Sequence, residues 1–235
     1  MKNGGDAIRL LNFAPTGING SVVVETVAFA DGTFARLADF QVGSAEITGT
    51  EGGDTLTGTP DDDVINALGD NDTVEALAGN DTVSGGTGND HLKGGAGGDV
   101  LLGEAGDDLL DGETGADRLA GGVGNDTYIL DQSDDVVTEL ADEGIDTVQS
   151  ALTHALSPNV ENLTLIGADA INGTGNDLDN VLTGNSAANI LAGALGNDTY
   201  VVGAGDTVVE NSNEGIDMVE SSMSWVLGNH VENLV

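Results

Sequence analysis

Nine aspartates stand at a constant interval of nine residues: Asp54, Asp63, Asp72, Asp81, Asp90, Asp99, Asp108, Asp117 and Asp126. Carboxylates are hard oxygen donors, and Ca²⁺ takes about six to eight oxygens from carboxylates and backbone carbonyls at roughly 2.3–2.6 Å. An aspartate column of fixed period is thus a candidate set of ligands for a hard cation. A merely solvated acidic face would need neither the strict period nor the glycines that go with it.

Those glycines define the element around each aspartate. In Gly85-Gly86-Thr87-Gly88-Asn89-Asp90-His91-Leu92-Lys93 the aspartate is the sixth residue of a block of nine, and nine such blocks fill 49–129. Glycine reaches positive φ without steric cost, so the first six residues of a block are predicted to form a tight turn. The last three form a short strand whose middle member is apolar and points inward. That member is Leu56, Ile65, Val74, Val83, Leu92, Leu101, Leu110, Leu119 and Tyr128 in turn. One apolar residue cannot hold a strand alone, but stacked copies can. The expected fold is all-β: a flattened right-handed parallel β-roll, a solenoid with two nonapeptide blocks per coil, turns along both edges, and capping segments at its flanks. Turns on one edge would then stack about 4.8 Å apart, setting carboxylates against each other unless cations lie between them.

Composition agrees. The chain has 235 residues, 37 glycines and 3% aromatics, which argues against an ordinary core of large side chains. Its formal net charge is -36, with 41 acidic residues against 5 lysines and arginines, so it repels itself unless cations enter. Nucleic acid and anionic membrane are poor partners for such a chain. No apolar run approaches the length of a membrane helix, so direct membrane insertion is not expected. The absence of cysteine excludes disulfides and thiolate metal sites.

The blocks match GGxGxDxUx, the nonapeptide of calcium-binding parallel β-helices in RTX proteins. On these residues the chain resembles the haemolysin-type calcium-binding repeat family. The resemblance implies that each ion lies between two stacked turns on one edge. One turn supplies the carbonyls of positions one and three with its aspartate, and the next supplies those of positions two and four with its own. Carried onto this sequence, position one is Gly49, Gly58, Gly85, Gly94, Gly103 and Gly112, and position two is Gly86, Gly95 and Gly122. Position three is Thr87, Ala96, Ala105 and Thr114. Position four is Gly52, Gly79, Gly88, Gly97, Gly106, Gly115 and Gly124. Five turns on one edge and four on the other leave gaps for about seven Ca²⁺, which would bring the net charge to about -22. The pattern departs from the family's at Ala67 and Ala76 in position one, Pro60 and Gly69 in position three, and Asp61 and Asp70 in position four. Aspartate tolerates the left-handed region better than most residues, so these turns are expected to bind, with the sites of Asp63 and Asp72 the least regular.

After Ile129 the pattern breaks and partly returns. Gly124 to Val148 (GNDTYILDQSDDVVTELADEGIDTV) is echoed by Gly196 to Val219 (GNDTYVVGAGDTVVENSNEGIDMV), and PNVENLTL from Pro158 by NHVENLV from Asn229. The unit is about seventy residues. Between the copies Asn180, Asn189 and Asp198 take the sixth position, followed by Leu182, Leu191 and Tyr200. A neutral asparagine oxygen binds calcium less strongly, so one ion, between Asn180 and Asp198, is expected there. The resulting organisation is a strand or hairpin cap over 1–48, the main roll over 49–129, an inter-roll cap over 130–165, a degenerate roll over 166–201 and a second, truncated cap over 202–235. The first segment has alternating Val22, Val24 and Val27 and a turn at Asp31-Gly32. The second copy stops where the first runs on, which suggests a fragment of a longer protein with an added Met1.

No enzyme is read here. His91, His154 and His230 form no constellation with a serine and a carboxylate. Tyr128 and Trp225 are expected as plugs for a roll end. The resemblance implies a calcium-dependent folding module of a type I secreted protein, found outside the cell or on its surface and handled by that secretion apparatus. Two other classes compete. One is an accessory or polysaccharide-binding module of a secreted protease, lipase or alginate epimerase, against which stand the scattered Lys2, Arg9, Arg36, Lys93 and Arg118. The other is a self-associating stalk of an adhesin, favoured by the seventy-residue unit.

Overall fold

The structure, a computed structural model, describes residues 44–235 and, before them, only the backbone of the strands Thr26–Ala28 and Phe34–Arg36. The chain divides into two units, Met1–Val42 and Gly43–Val235. In the first, the two strands pair antiparallel, with Val27 opposite Ala35. Val22, Val24 and the Asp31-Gly32 turn lie outside the described residues.

In the second unit every strand pairs in parallel, and the described residues contain no helix. Strands alternate between two sheets as the chain coils, so strand neighbours are eighteen residues apart: Val83 pairs with Leu101, and Leu92 with Leu110. This is the stacked, two-block coil of a parallel β-roll. The inward column is buried as the alternation requires, with Ile65, Val74, Val83, Leu92, Leu101, Leu110 and Tyr128 fully shielded and Leu56 partly so.

In the middle of the nine blocks the strands run to six residues, while Thr55–Thr57 and Thr73–Glu75 keep three. Thr82–Thr87 and Val100–Ala105 pair again beyond the first glycine, Gly86 with Glu104 and Thr87 with Ala105. The strand therefore runs from position seven to position three, and the tight turn is only positions four to six. The bend at positions one and two turns the backbone while preserving its pairing, because position two adopts positive φ: 107° at Gly86 and 110° at Gly95.

One eleven-stranded sheet runs through the whole second unit, from Thr55–Thr57 to Asn233–Leu234. It includes Thr147–Ser150 and Asn162–Leu165, within the segment expected to cap between rolls, and Met218–Glu220, within that expected to cap the end. The apolar column continues through them: Tyr128 pairs with Val148, Val148 with Leu163, Leu163 with Leu182, and Tyr200 with Val219. Tyr128 accordingly lies inside the stack and not at a roll end. The opposite face changes hands. A six-stranded sheet ends at Val136–Val137, and a separate four-stranded sheet covers His154–Ala155 to Thr207–Val208. Among the described residues, no helix is long and apolar enough to cross a membrane.

Candidate metal centre

Each sixth-position aspartate after Asp54 is held by the coil before it. The backbone N–H of Asp54 donates to Asp72 Oδ1 at 2.6 Å, that of Asp72 to Asp90 at 2.8 Å, Asp90 to Asp108 at 2.7 Å and Asp108 to Asp126 at 2.7 Å. On the other edge Asp63 donates to Asp81, Asp81 to Asp99, and Asp99 to Asp117, at 2.7–2.8 Å. In the first two turns Oδ2 of Asp54 and of Asp63 accepts from the Thr50 and Thr59 N–H; from Asp72 on, one oxygen of each carboxylate is spent on the ladder, which fixes where the other points.

That other oxygen has no partner. Oδ2 of Asp72, Asp81, Asp90, Asp99, Asp108, Asp117 and Asp126 is buried without a hydrogen bond. These aspartates are at most 2% exposed. A buried carboxylate oxygen with nothing to satisfy it is costly, far more so when charged. Desolvation therefore raises these carboxyls, with the ladder N–H acting against it and neighbouring aspartates adding to it: Asp99, Asp108 and Asp117 reach about 6 and Asp126 about 7. Among the described residues no lysine or arginine pairs with them. The one ion pair among the described residues, Lys93 with Glu113 at 3.2 Å, lies on a strand face.

The glycines bring backbone oxygens to the same gaps. Gly79, Gly88, Gly97, Gly106, Gly115 and Gly124, all in position four, have φ between 127° and 152°. A Cβ at Gly97 would collide with the carbonyl oxygen of Gly79 one coil below, so this oxygen is aimed along the stack at the next turn. From the upper turn the position-one carbonyl faces down: Gly103 O would lie 3.0 Å from a Cβ at Gly85, and Gly121 O 2.7 Å from one at Gly103. Position-one glycines also make room for the orphaned oxygen itself, since a Cβ at Gly85, Gly94, Gly103 or Gly112 would strike Oδ2 of the aspartate in its own turn. Position three is partly committed to pairing. The carbonyls of Ala96, Ala105 and Thr114 accept from Gly79, Gly88 and Gly97 at 2.8–2.9 Å. Of the irregular turns, Asp70 does adopt the left-handed region, at φ 66°, while Gly52 in the first block faces open space.

Buried, unpartnered carboxylate oxygens flanked by converging carbonyls form a donor set of hard oxygens alone. Such a set fits Ca²⁺ and does not fit a metal that wants sulfur or imidazole.

The later coils close differently. Asn180 Oδ1 accepts from Asn176 N–H at 2.7 Å, and its Nδ2 donates to the carbonyls of Glu161 at 3.1 Å and Val160 at 3.3 Å. Asn189 repeats this, donating to Ile171 O at 2.6 Å. The asparagine N–H thus adds a side-chain donor to carbonyls of the coil below, whereas in the acidic turns the sixth-position carbonyl accepts from the backbone alone, as Asp90 O does from Leu109 N–H at 2.8 Å. Asn180 and Asp198 do meet, through Asn180 N–H to Asp198 Oδ1 at 2.8 Å, while the one side-chain oxygen of Asn180 already accepts from Asn176 N–H.

Sequence reasoning missed two further rows. The fifth position forms a second ladder of opposite sense: Asn80 Oδ1 accepts from Gly98 N–H, Asn89 Oδ1 from Asp107 N–H, and Asp107 Oδ1 from Asn125 N–H. The Asn or Asp that precedes the sixth position in six of the nine blocks was its signal. The sixth-position ladder also continues beyond the nine blocks, through Asp146 and Glu161, and later through Asp217 and Glu232. The repeated GID and VEN motifs mark these residues.

The family model for the RTX calcium-binding nonapeptide repeat, in four copies, matches residues 48–83, 75–110, 84–119, 94–128, 102–137 and 174–209. No curated protein matches the chain.

Proposed function

The chain belongs to the RTX calcium-binding nonapeptide repeat family, and from that premise we propose that it is a module whose folding is coupled to calcium outside the cell, serving a larger type I secreted protein. The observation that supports this most is the row of buried Oδ2 atoms, one for each of the gaps between stacked acidic turns. About seven ions in the acidic coils would answer them.

Bound Ca²⁺ would supply positive charge and coordination to those oxygens. The chain's own contributions are separable. The ladder N–H groups orient each carboxylate, the position-four glycines direct a carbonyl upward, and the inward column holds the turns in register. Without the ion the aligned carboxylates oppose stacking, and an inward column of one side chain per block is too thin a core to overcome them. Binding energy is then folding energy. Extracellular calcium modules bind at roughly 10⁻⁴–10⁻³ M, so a chain of this kind stays unfolded where calcium is scarce and folds where it is abundant. No catalytic role is assigned to it. Its low and scattered basic content argues against a polyanion groove.

The test is a calcium titration from chelator followed by far-UV circular dichroism, with magnesium in parallel. A cooperative gain of β signal with calcium alone is expected. Complete β structure in chelator would overturn the coupling. The adhesin reading has one feature in its favour, the seventy-residue unit, and sedimentation with and without calcium separates the two: a folding module stays monomeric.

A further inference from the structure

Two carboxylate clusters extend beyond the nonapeptide scheme, each joining a sixth-position aspartate to two carboxylates outside it. Asp126, Glu139 and Asp146 have ligand oxygens all within 4.8 Å of one another, as do Asp198, Glu210 and Asp217, and all six residues are buried. They are corresponding residues of the two seventy-residue units, so the same arrangement arises twice from two sequences.

The glutamates explain the geometry. Glu139 stands eighteen residues after Gly121, and Glu210 seventeen after Gly193, where the repeat would put the first glycine of the next turn. Gly121 N–H donates to Glu139 Oε1 at 3.3 Å, so the side chain reaches back across the gap to the turn that ends at Asp126. The turn above is longer than a nonapeptide turn, bringing Asp146 over Asp126 after twenty residues instead of eighteen, with Asp126 N–H donating to it at 2.9 Å. In the second unit Asp198 N–H donates to Asp217 at 2.9 Å. An ordinary gap contains two carboxylates; this one contains three.

What points to a ligand is the set of atoms left unsatisfied. Asp126 Oδ2, Glu139 Oε2, Asp198 Oδ2 and both oxygens of Glu210 have no hydrogen-bond partner. The Tyr200 hydroxyl is fully buried and also without one, and it stands against Asp198 Oδ2 around Gly193. In the first unit the equivalent Tyr128 hydroxyl accepts from Gly121 N–H at 2.6 Å and donates to Glu139. A buried three-carboxylate cluster without a neighbouring lysine or arginine needs a compact positive charge.

We propose that each seventy-residue unit carries a three-carboxylate site for a hard divalent cation, formed by Asp126, Glu139 and Asp146 in the first and by Asp198, Glu210 and Asp217 in the second. The proposal extends the calcium reading to residues outside the nonapeptide. Flexible, oxygen-only ligands favour Ca²⁺ over Mg²⁺, which demands a tight octahedron. The later coils, whose asparagine turns close by themselves, would thereby still hold one ion at their far end.

The test compares the whole chain with its Glu139→Gln/Glu210→Gln variant at pH 7.5. Equilibrium dialysis of calcium is expected to show two fewer ions bound by the variant, one per cluster. Terbium provides a local readout, because the only two tyrosines of the chain are Tyr128 and Tyr200. Tyrosine-sensitised terbium emission should fall severalfold in the variant. Unchanged stoichiometry and emission in a folded variant would overturn this proposal and leave the nonapeptide reading intact. A wild-type chain that binds no calcium would overturn both. A shared proton is the competing occupant, and an infrared band of a protonated carboxyl persisting in calcium-saturated wild type would decide for it. Should the double variant not fold, Glu210→Gln alone is read for the loss of one ion and of part of the emission.

Discussion

The coils between Asp54 and Asp126 and those around Asn176 to Asn189 stack the same strand on the same spacing, yet they close their edges with different atoms. In the acidic coils the sixth side chain gives one oxygen to a ladder N–H and leaves the other buried and empty-handed. In the asparagine coils the sixth side chain carries its own donor, which reaches the carbonyls of the coil below. The first edge is incomplete until a cation arrives; the second is complete as a covalent chain. On the proposed reading the coil geometry itself is indifferent to calcium, and dependence on the ion is written residue by residue at position six.

Four substitutions and one change of condition test this contrast. The largest effect is expected from Asp108→Ala, since Asp108 borders two gaps. In calcium the variant should lose roughly 3–5 kcal/mol, the linkage energy of two ions at concentrations far above their dissociation constants. In chelator, where these coils are already unfolded, the substitution should leave the circular dichroism unchanged; a thermal melt in calcium and a spectrum in chelator provide the two readings. A loss of β signal in chelator as well would mean that the carboxylate acts only as a ladder acceptor.

Gly97→Ala follows. Its φ of 143° and the Gly79 carbonyl beneath it leave no room for a methyl group, so about 1–3 kcal/mol should be lost in calcium-loaded protein. The corresponding fourth position of the Asn180 turn is Leu178, whose φ is not positive, and Leu178→Gly should cost less than half as much by the same melts.

Asn189→Ala removes a donor and strands buried acceptors, which costs about 1–2 kcal/mol. Unlike Asp108→Ala, this loss should be the same with and without calcium. Urea titrations under both conditions provide the comparison.

The smallest effect is that of pH in chelator. The carboxyls of Asp99, Asp108 and Asp117 rise to about 6 and that of Asp126 to about 7, above their values in an unfolded chain. The folded apo coils therefore hold protons that the unfolded chain has released. Their stability should grow as pH falls from 7 towards 5 and be lost as it rises through 6–7. In calcium no such slope is expected over this range, because both the ion-bound and the unfolded states are ionised. Circular dichroism in chelator between pH 5 and pH 8 reads the sign directly, and stability increasing with pH would contradict it.

Much of this was legible in the sequence. The period of nine announced the coil, the residue two after each aspartate announced the core, and the glycines announced the edges. The coils of 130–165 and 202–235 were hidden because they keep the stack while changing its arc length. Tyr128 to Val148 takes twenty residues and Val148 to Leu163 fifteen. Stacking constrains the inward side chain and the edge N–H of each coil, and a turn can lengthen or shorten between them without disturbing either. A search for a fixed period cannot see that. Glu139 and Glu210 were hidden for a related reason: they replace a glycine, so the motif fails at the residue that adds chemistry. The donor role of Asn180 was missed because asparagine was weighed as an oxygen ligand, while its N–H determines what the turn needs.

The most direct test of the central claim is hydrogen exchange resolved along the chain, run in chelator and again in calcium. The account predicts that amides of Thr82–Thr87, Val100–Ala105 and Leu109–Thr114 exchange freely in chelator and become protected in calcium, while those of Val181–Thr183 and Ile190–Ala192 keep measurable protection in both. Equal protection of the two regions in chelator, whether both high or both absent, would contradict the assignment of calcium dependence to position six.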